Sequence, residues 1–235
     1  NIGKPVLSLL SKASSKDVFC YELSCHQLWN LKHSPHIAVF LNLYPEHLDY
    51  YKNFQEYSRA KANICRWQTA DDFLIYNAKD KNVKKIAKSS KAKKIALKNY
   101  SDILENVRIK KIPLLGEHNL LNIAAAIEVG KIFKINDQKI KKAVENFKPL
   151  PHRLEMVGTF KGITFYNDAL ATIPETTIAA IDAFGDKVET ILLGGYDRNL
   201  SFEKLAKKIL NSKIKTVILF PTTGEKIWQT LRQSQ

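Results

Sequence analysis

The sequence predicts an α/β protein built in two parts, and three observations carry that expectation. Short apolar runs that read as strands alternate with stretches of helical periodicity, the order that produces a mostly parallel sheet with flanking helices. Two prolines then break the chain at Phe147-Lys148-Pro149-Leu150-Pro151, and the alternation restarts beyond them. The length of 235 residues also exceeds the usual size of one domain. The parts expected are residues 1–148 and 149–235.

In the first part, a short helix is expected after Pro5, a residue suited to a first helical turn. Strands are expected at 17–23 and 37–43. Residues 53–67 place Phe54, Tyr57, Ile64 and Trp67 at helical spacing. A strand at 73–76, a lysine-rich helix near 80–88 and a strand at 94–97 follow. Gly116-Glu117-His118-Asn119 then introduces an alanine-rich apolar helix, 120–133, and a second helix covers 137–146.

Beyond the prolines, strands at 155–160 and 163–166 surround the turn Lys161-Gly162, and Pro174 opens a helix to 184. A strand at 190–193 ends in Gly194-Gly195; a helix at 202–210, a strand at 216–220 and a helix at 224–231 complete the series. The pattern predicts a Rossmann-like second part. A diglycine alone does not make a dinucleotide site, and no G-x-G-x-x-G occurs.

Composition narrows the function. The 45% apolar and 26% charged content is that of a globular protein. A net charge of +14, from 37 basic against 23 acidic residues, raises the question of a polyanionic partner. The basic residues are mostly lysine and are dispersed, and few aromatics interleave with the densest cluster, Lys79 to Lys98. A single-strand binder needs such a stacking platform, so no nucleic-acid partner is expected. Cys20, Cys25 and Cys65 show no C-x-x-C spacing, which argues against a disulfide framework or a thiolate zinc site. No apolar run of eighteen residues and no leader pattern is found, so no membrane partner and a cytoplasmic location are expected.

The strongest chemical signal is one run, Asn42-Leu43-Tyr44-Pro45-Glu46-His47-Leu48-Asp49, followed by Lys61. His47 comes after an apolar stretch, Ile37-Ala38-Val39-Phe40-Leu41, and so belongs in the crevice beyond a strand's carboxyl end, where ligands of open α/β sheets collect. Lys61 lies on the predicted helix. A loop histidine and a helix lysine could thus face one pocket. Taken alone, His47 is equally a hydrogen-bonded structural group, and Lys61 a solvated lysine or a partner of Asp49 or a phosphate.

Three further clusters accompany that pair: Tyr21-Glu22-Leu23-Ser24-Cys25-His26-Gln27-Leu28, Gly116-Glu117-His118-Asn119-Leu120-Leu121-Asn122, and Leu150-Pro151-His152-Arg153-Leu154-Glu155 with Tyr166-Asn167-Asp168. In this order, with Asn-Ile-Gly at the start and Leu-Leu-Gly-Gly ending at Gly195, the series resembles the Mur ligases, and among them the branch that adds glutamate. The resemblance implies a central ATP-binding domain followed by a Rossmann-like, amino-acid-binding C-terminal domain, both incomplete here. It implies an ATP-dependent ligase of peptidoglycan precursor synthesis that joins glutamate to UDP-MurNAc-L-alanine through an acyl phosphate. A monomer is expected, although the sequence itself does not give the oligomeric state.

Site residues follow by matching the motifs. Glu22 matches the glutamate that holds a first magnesium ion, and His47 the histidine near a second. Lys61 matches the lysine that the family converts to a carbamate, which turns a cation into a carboxylate-like oxygen ligand. Asn119 and Asn122 match the contacts to adenine, where an amide offers both a donor and an acceptor; a helix cap by Asn119 is the alternative. Arg153 matches the arginine that reaches the ATP phosphates, and Asp168 an aspartate of the same site. Asn1, Ser24 and Gln27 match contacts to the nucleotide-sugar substrate, and Thr172 and Arg198 positions near the incoming amino acid.

Two departures stand out. The family's Asn-Asp-Ser-Lys-Ala-Thr-Asn reads Asn167-Asp168-Ala169-Leu170-Ala171-Thr172-Ile173, so Leu170 replaces a lysine. No G-x-x-x-x-G-K-[ST] phosphate cradle occurs, so the chain is expected to be an internal fragment with little activity by itself. A folylpolyglutamate-synthase-like ligase and a basic, non-catalytic nucleic-acid-binding module are the rival expectations.

Overall fold

The computed structural model describes residues 6–234. After a 3-10 helix, Val6–Lys12, the elements of the first part are α1 (Cys25–Leu28), β1 (Ile37–Phe40), α2 (Phe54–Arg66), β2 (Phe73–Asn77), α3 (Lys81–Ser89), β3 (Lys93–Leu97), α4 (Tyr100–Asn106), α5 (Glu117–Ile132) and α6 (Asp137–Glu145). The strands form one parallel sheet in the order β1-β2-β3, with Ile37 opposite Phe73 and Phe73 opposite Lys93.

Central strand β2 is covered on both faces, as parallel strands require. Leu74 faces a core with Ala38, Phe40, Tyr57, Ala60 and Val83, contributed by β1, α2 and α3. Its neighbour Ile75 faces the opposite core, with Leu97, Leu104, Leu121, Ala124 and Ile127. Helix α5 is apolar around most of its circumference because it packs against the sheet, α4 and α6 and also reaches the second part of the chain.

Caps explain where the helices start. Asn53 accepts from Glu56 N at the head of α2, and the Asp80 carboxylate accepts from Asn82 N and Val83 N at the head of α3. The other oxygen of Asp80 accepts from Leu43 N at 3.1 Å. Asn82 donates to Leu43 O at 3.4 Å, and Asn77 to Asn42 Oδ1 at 3.4 Å. The loop after β1, which carries His47, is thereby tied to the sheet and to α3.

One expectation is corrected here. Residues 17–23 form no strand and pair with no other segment among the described residues; Val18, Phe19 and Tyr21 are 64%, 46% and 39% exposed. Alternating apolar residues supply only half of a strand, since the backbone also needs a neighbour to complete its hydrogen bonds.

The second part contains β4 (Glu155–Phe160), β5 (Ile163–Asn167), α7 (Pro174–Phe184), β6 (Thr190–Gly194), α8 (Glu203–Leu210), β7 (Thr216–Phe220) and α9 (Gly224–Gln233). β6 and β7 are parallel. Their residues Ile191, Leu193, Val217 and Leu219 pack on Ile181, Leu205, Ile209 and Ile227 of the helices. Leu192, Ile218 and Phe220 point the other way and are largely exposed.

β4 and β5 form the pair expected around Lys161-Gly162, as an antiparallel hairpin that is separate from the β6-β7 sheet. Their turn explains the pairing. Lys161 and Gly162 have φ of 50° and 81°, the left-handed pair that matches a two-residue turn to the twist of adjacent antiparallel strands. Among the described residues, no helix is long and apolar enough to cross a membrane.

Candidate functional site

Polar side chains from both parts of the chain converge at two places. The first is built around Glu46, in the loop after β1. Its Oε1 accepts from Arg198 Nη1 at 3.3 Å and from Thr172 Oγ1 at 3.4 Å, and lies 3.8 Å from His47 Nε2. The sequence places Thr172 and Arg198 near an incoming amino acid and His47 near a metal; the structure brings all three to a single oxygen atom. Glu46 itself is absent from the sequence-predicted site, although its place in the Asn42–Asp49 run is a usable signal.

Local structure holds these groups in place. His47 has φ 56°, an uncommon conformation for a residue other than glycine, and its carbonyl accepts from both Tyr50 N and Tyr51 N at 3.0 Å. The neighbour of Arg198, Asp197, accepts from Lys226 and from Asn199 N, and these bonds hold its carboxyl below the usual carboxylate range. An open cleft of ≈ 780 Å³ runs alongside, lined by Asn42, Tyr44 and Lys79 from one part and Glu175, Asn199 and Lys204 from the other.

Lys61, on α2, lies near the same place. Its Nζ is 5.9 Å from the centre of the Tyr57 ring, and the His47 ring centre is 6.4 Å from that of Tyr57. Tyr57 is thus a common neighbour of the expected pair. Burial, then the Glu46 charge, push its phenol well above the usual range. Among the described ion pairs Lys61 has none, with Asp49 or any other group.

The strand expected to carry Glu22 is absent, so Glu22 lies in an exposed irregular segment and not at a strand's end. The potential metal-ligand cluster at His47 contains Cys25 and His26, not Glu22. Ser24 and Gln27 bond to each other: Ser24 N and Oγ donate to Gln27 Oε1 at 2.9 and 3.1 Å, and Gln27 N donates back to Ser24 Oγ at 3.3 Å. This capping box starts α1. Asn1 lies outside the described residues.

The second convergence is at the head of α5. Asn119 donates to Leu115 O at 2.7 Å and sits 3.2 Å from His118 Nε2, while Asn122 donates to Asn119 Oδ1 at 3.0 Å. The residue preceding α5 is Gly116, and Asn119 makes no cap bond there. The two amides thus share one exposed helix face.

His118 connects them to the second part. Desolvation lowers its basicity, countered by the Asp168 charge and reinforced by Arg153. Burial raises the Asp168 carboxyl above its usual value, opposed by the Leu154 N–H bond at 3.0 Å and by the Arg153 and His118 charges. His118, beside Asn119, thus lies within electrostatic reach of Arg153 and Asp168. Sequence reasoning misses that residue because it stands in the motif as an apparent spacer. The loop carrying Arg153 is strained, with φ of 60° at His152 and 48° at Leu154, and is held by His152 N donating to Glu155 at 2.8 Å.

Known proteins resemble this chain in sequence and in fold. Residues 1–112 match the family model "Mur ligase middle domain". The UDP-N-acetylmuramoylalanine--D-glutamate ligase of Listeria innocua serovar 6a is 35% identical, the alignment covering 97% of this chain and 53% of that protein. The chain thus spans about half the length of the curated relatives it matches. Among solved structures, Thermotoga maritima MurF ligase in complex with ADP matches with TM-score 0.57 at 14% identity, over 86% of this chain and 62% of that one. Folylpolyglutamate synthase from Thermotoga maritima matches with TM-score 0.51 at 13% identity, over 86% of this chain and 52% of that one. Both likenesses are of fold.

Proposed function

The chain belongs to the Mur ligase family, and we propose that the protein carrying it joins D-glutamate to UDP-MurNAc-L-alanine at the expense of ATP. The observation that carries this reading is the meeting of His47, Thr172 and Arg198 at Glu46, between the two parts of the chain. A ligase of two anionic substrates needs cations and donors gathered where the pieces meet. The glutamate-adding relative at 35% identity favours this substrate pair over a folate, whose synthase is matched by fold alone.

The residues divide the work between them. Arg198 and Thr172 offer a guanidinium and a hydroxyl to the carboxylates of the incoming amino acid. Asn119 and Asn122 present amide donors and acceptors suited to an adenine edge, and Arg153 supplies a charged fork for phosphates. Asp168 holds the Arg153 loop through Leu154 N. ATP supplies the phosphoryl group that activates the substrate carboxylate. The division at residues 148 and 149, and nucleotide-sugar contacts from Asn1, Ser24 and Gln27, belong to the same proposal.

Magnesium takes oxygen ligands, usually one or two carboxylates together with phosphates. The Glu46 carboxylate, beside His47, offers such a ligand, and Lys61 would add an oxygen donor once carbamylated. Glu22 is assigned to a first magnesium ion on the motif alone. Catalysis then consists chiefly of positioning and charge complementarity between the two parts.

The test is ADP release by the protein carrying these residues, with both substrates supplied. Release that requires UDP-MurNAc-L-alanine and D-glutamate together is expected. Release with a folate and L-glutamate, or none with the expected pair, would overturn the reading.

A further inference from the structure

Cys25, His26 and His47 place one sulfur and two imidazoles in a cluster whose donor atoms all lie within 4.8 Å of one another. We propose that these three side chains form a binding site for a zinc-like, thiophilic divalent cation, separate in ligand chemistry from any magnesium site. A thiolate and two imidazoles suit Zn²⁺ and leave a fourth position open, whereas Mg²⁺ demands oxygen ligands.

The geometry is close to what such an ion needs. Tetrahedral zinc with ordinary Zn–S and Zn–N lengths sets its donors about 3.3–3.6 Å apart. Rotation of two side chains closes the remainder, since His26 is exposed and His47 only partly buried. Buried Cys25 supplies the fixed point. It lies at the start of α1, which Asn63 anchors: Asn63 Nδ2 donates to Leu28 O at 2.8 Å and to Trp29 O at 3.2 Å.

Three further features favour this site. His47 is held at φ 56° by a turn whose two N–H groups both bond its carbonyl, so its ring is presented by a strained backbone. The His26 ring meets that of His47 edge-on with centres 5.1 Å apart, and is flanked by Tyr50 at 4.6 Å and Tyr51 at 5.8 Å. The buried Tyr51 hydroxyl lies against the Cys25 side chain, within reach of its sulfur, and could donate to that sulfur when it is metal-bound. Because His47 is also assigned near magnesium, filling the site would withdraw it from that role; this consequence rests on the proposed function, and the site itself does not.

Cobalt substitution tests the site without any assay of activity. Titrating the protein with Co²⁺ should give a thiolate-to-cobalt charge-transfer band in the near ultraviolet, saturating at one ion per chain and displaced by Zn²⁺ but not by excess Mg²⁺. Cys25→Ser should abolish the band, and Cys20→Ser, at an exposed thiol, should leave it intact. His26→Ala should weaken cobalt binding by about tenfold or more. A folded wild-type protein without the band, or a band that survives Cys25→Ser, would overturn the proposal. Should Cys25→Ser fail to fold, unchanged affinity in the exposed His26→Ala variant would overturn it equally.

Discussion

Gly116 and His118 occupy a space that only one side chain can fill. A methyl group on Gly116 would come within 2.7 Å of His118 Cε1 and 2.8 Å of Nδ1, and Gly116 itself has φ 89°. The glycine is thus needed twice, for its backbone and for the histidine ring resting against it. Gly116→Ala should cost about 1–3 kcal/mol from backbone strain. It should also displace the neighbouring Asn119, lowering the ligase rate by about 10- to 100-fold through misplaced nucleotide. Thermal unfolding and nucleotide titration measure the two effects separately.

The lowered basicity of His118 has a pH signature. Above its ordinary value of 6.5, folded and unfolded forms are both neutral and the full stability is present. As pH falls below that value the unfolded chain takes up the proton first, so stability is lost toward the lower folded-state value. Asp168 acts in the opposite direction, since its raised carboxyl favours the folded form as pH falls toward its ordinary value of 3.8. The histidine dominates just below neutrality. Urea unfolding at pH 7 and at intervals below it should show a decline that His118→Gln reduces.

Lys61→Arg keeps the positive charge and the helix but removes the amine that could be carbamylated. The rate should fall by about 100-fold or more, the scale of losing one electrostatic group at a reacting centre. Folding should be unchanged, because Lys61 makes no ion pair among the described residues. Activity close to wild type would show that this lysine acts as a plain cation.

Asn63→Ala removes the amide that anchors α1 to α2. Asn63 is 6% exposed and satisfies the carbonyls of Leu28 and Trp29, so their loss of a partner should cost about 1–3 kcal/mol. Denaturant midpoints compared with the wild type give the value. Glu46→Gln should cost less, about 1 kcal/mol, because the amide keeps an oxygen that can accept from Arg198 and Thr172 and loses only the charge.

Much of this fold is legible because its signals are local. Pro174 and the apolar spacing after it mark α7 at the observed residues, and Lys161-Gly162 marks the hairpin turn. The misses are where structure depends on a distant partner. Residues 17–23 alternate like a strand but find no ladder, and α4 is a seven-residue helix with no side-chain cap, held by packing on α5 and by the Tyr100 hydroxyl bond to Glu117. In the candidate site, the sequence names His47, Asn119 and Arg153 in its clusters, whereas the contacts that single out Glu46 and His118 come from residues of the second part of the chain.

An anion that arrives at Arg198 does not find a bare cation. The guanidinium and the Thr172 hydroxyl already hold an oxygen of Glu46, so an incoming carboxylate must displace a tethered competitor of its own kind. The affinity measured at that position is therefore a difference between two carboxylates. A weakly interacting acid gains nothing by the exchange, while one engaging both donors at once can win it. If the proposed role of Arg198 holds, selectivity is set by an internal rival, and each exchange also leaves the carboxylate beside His47 without its partner from the far side of the cleft.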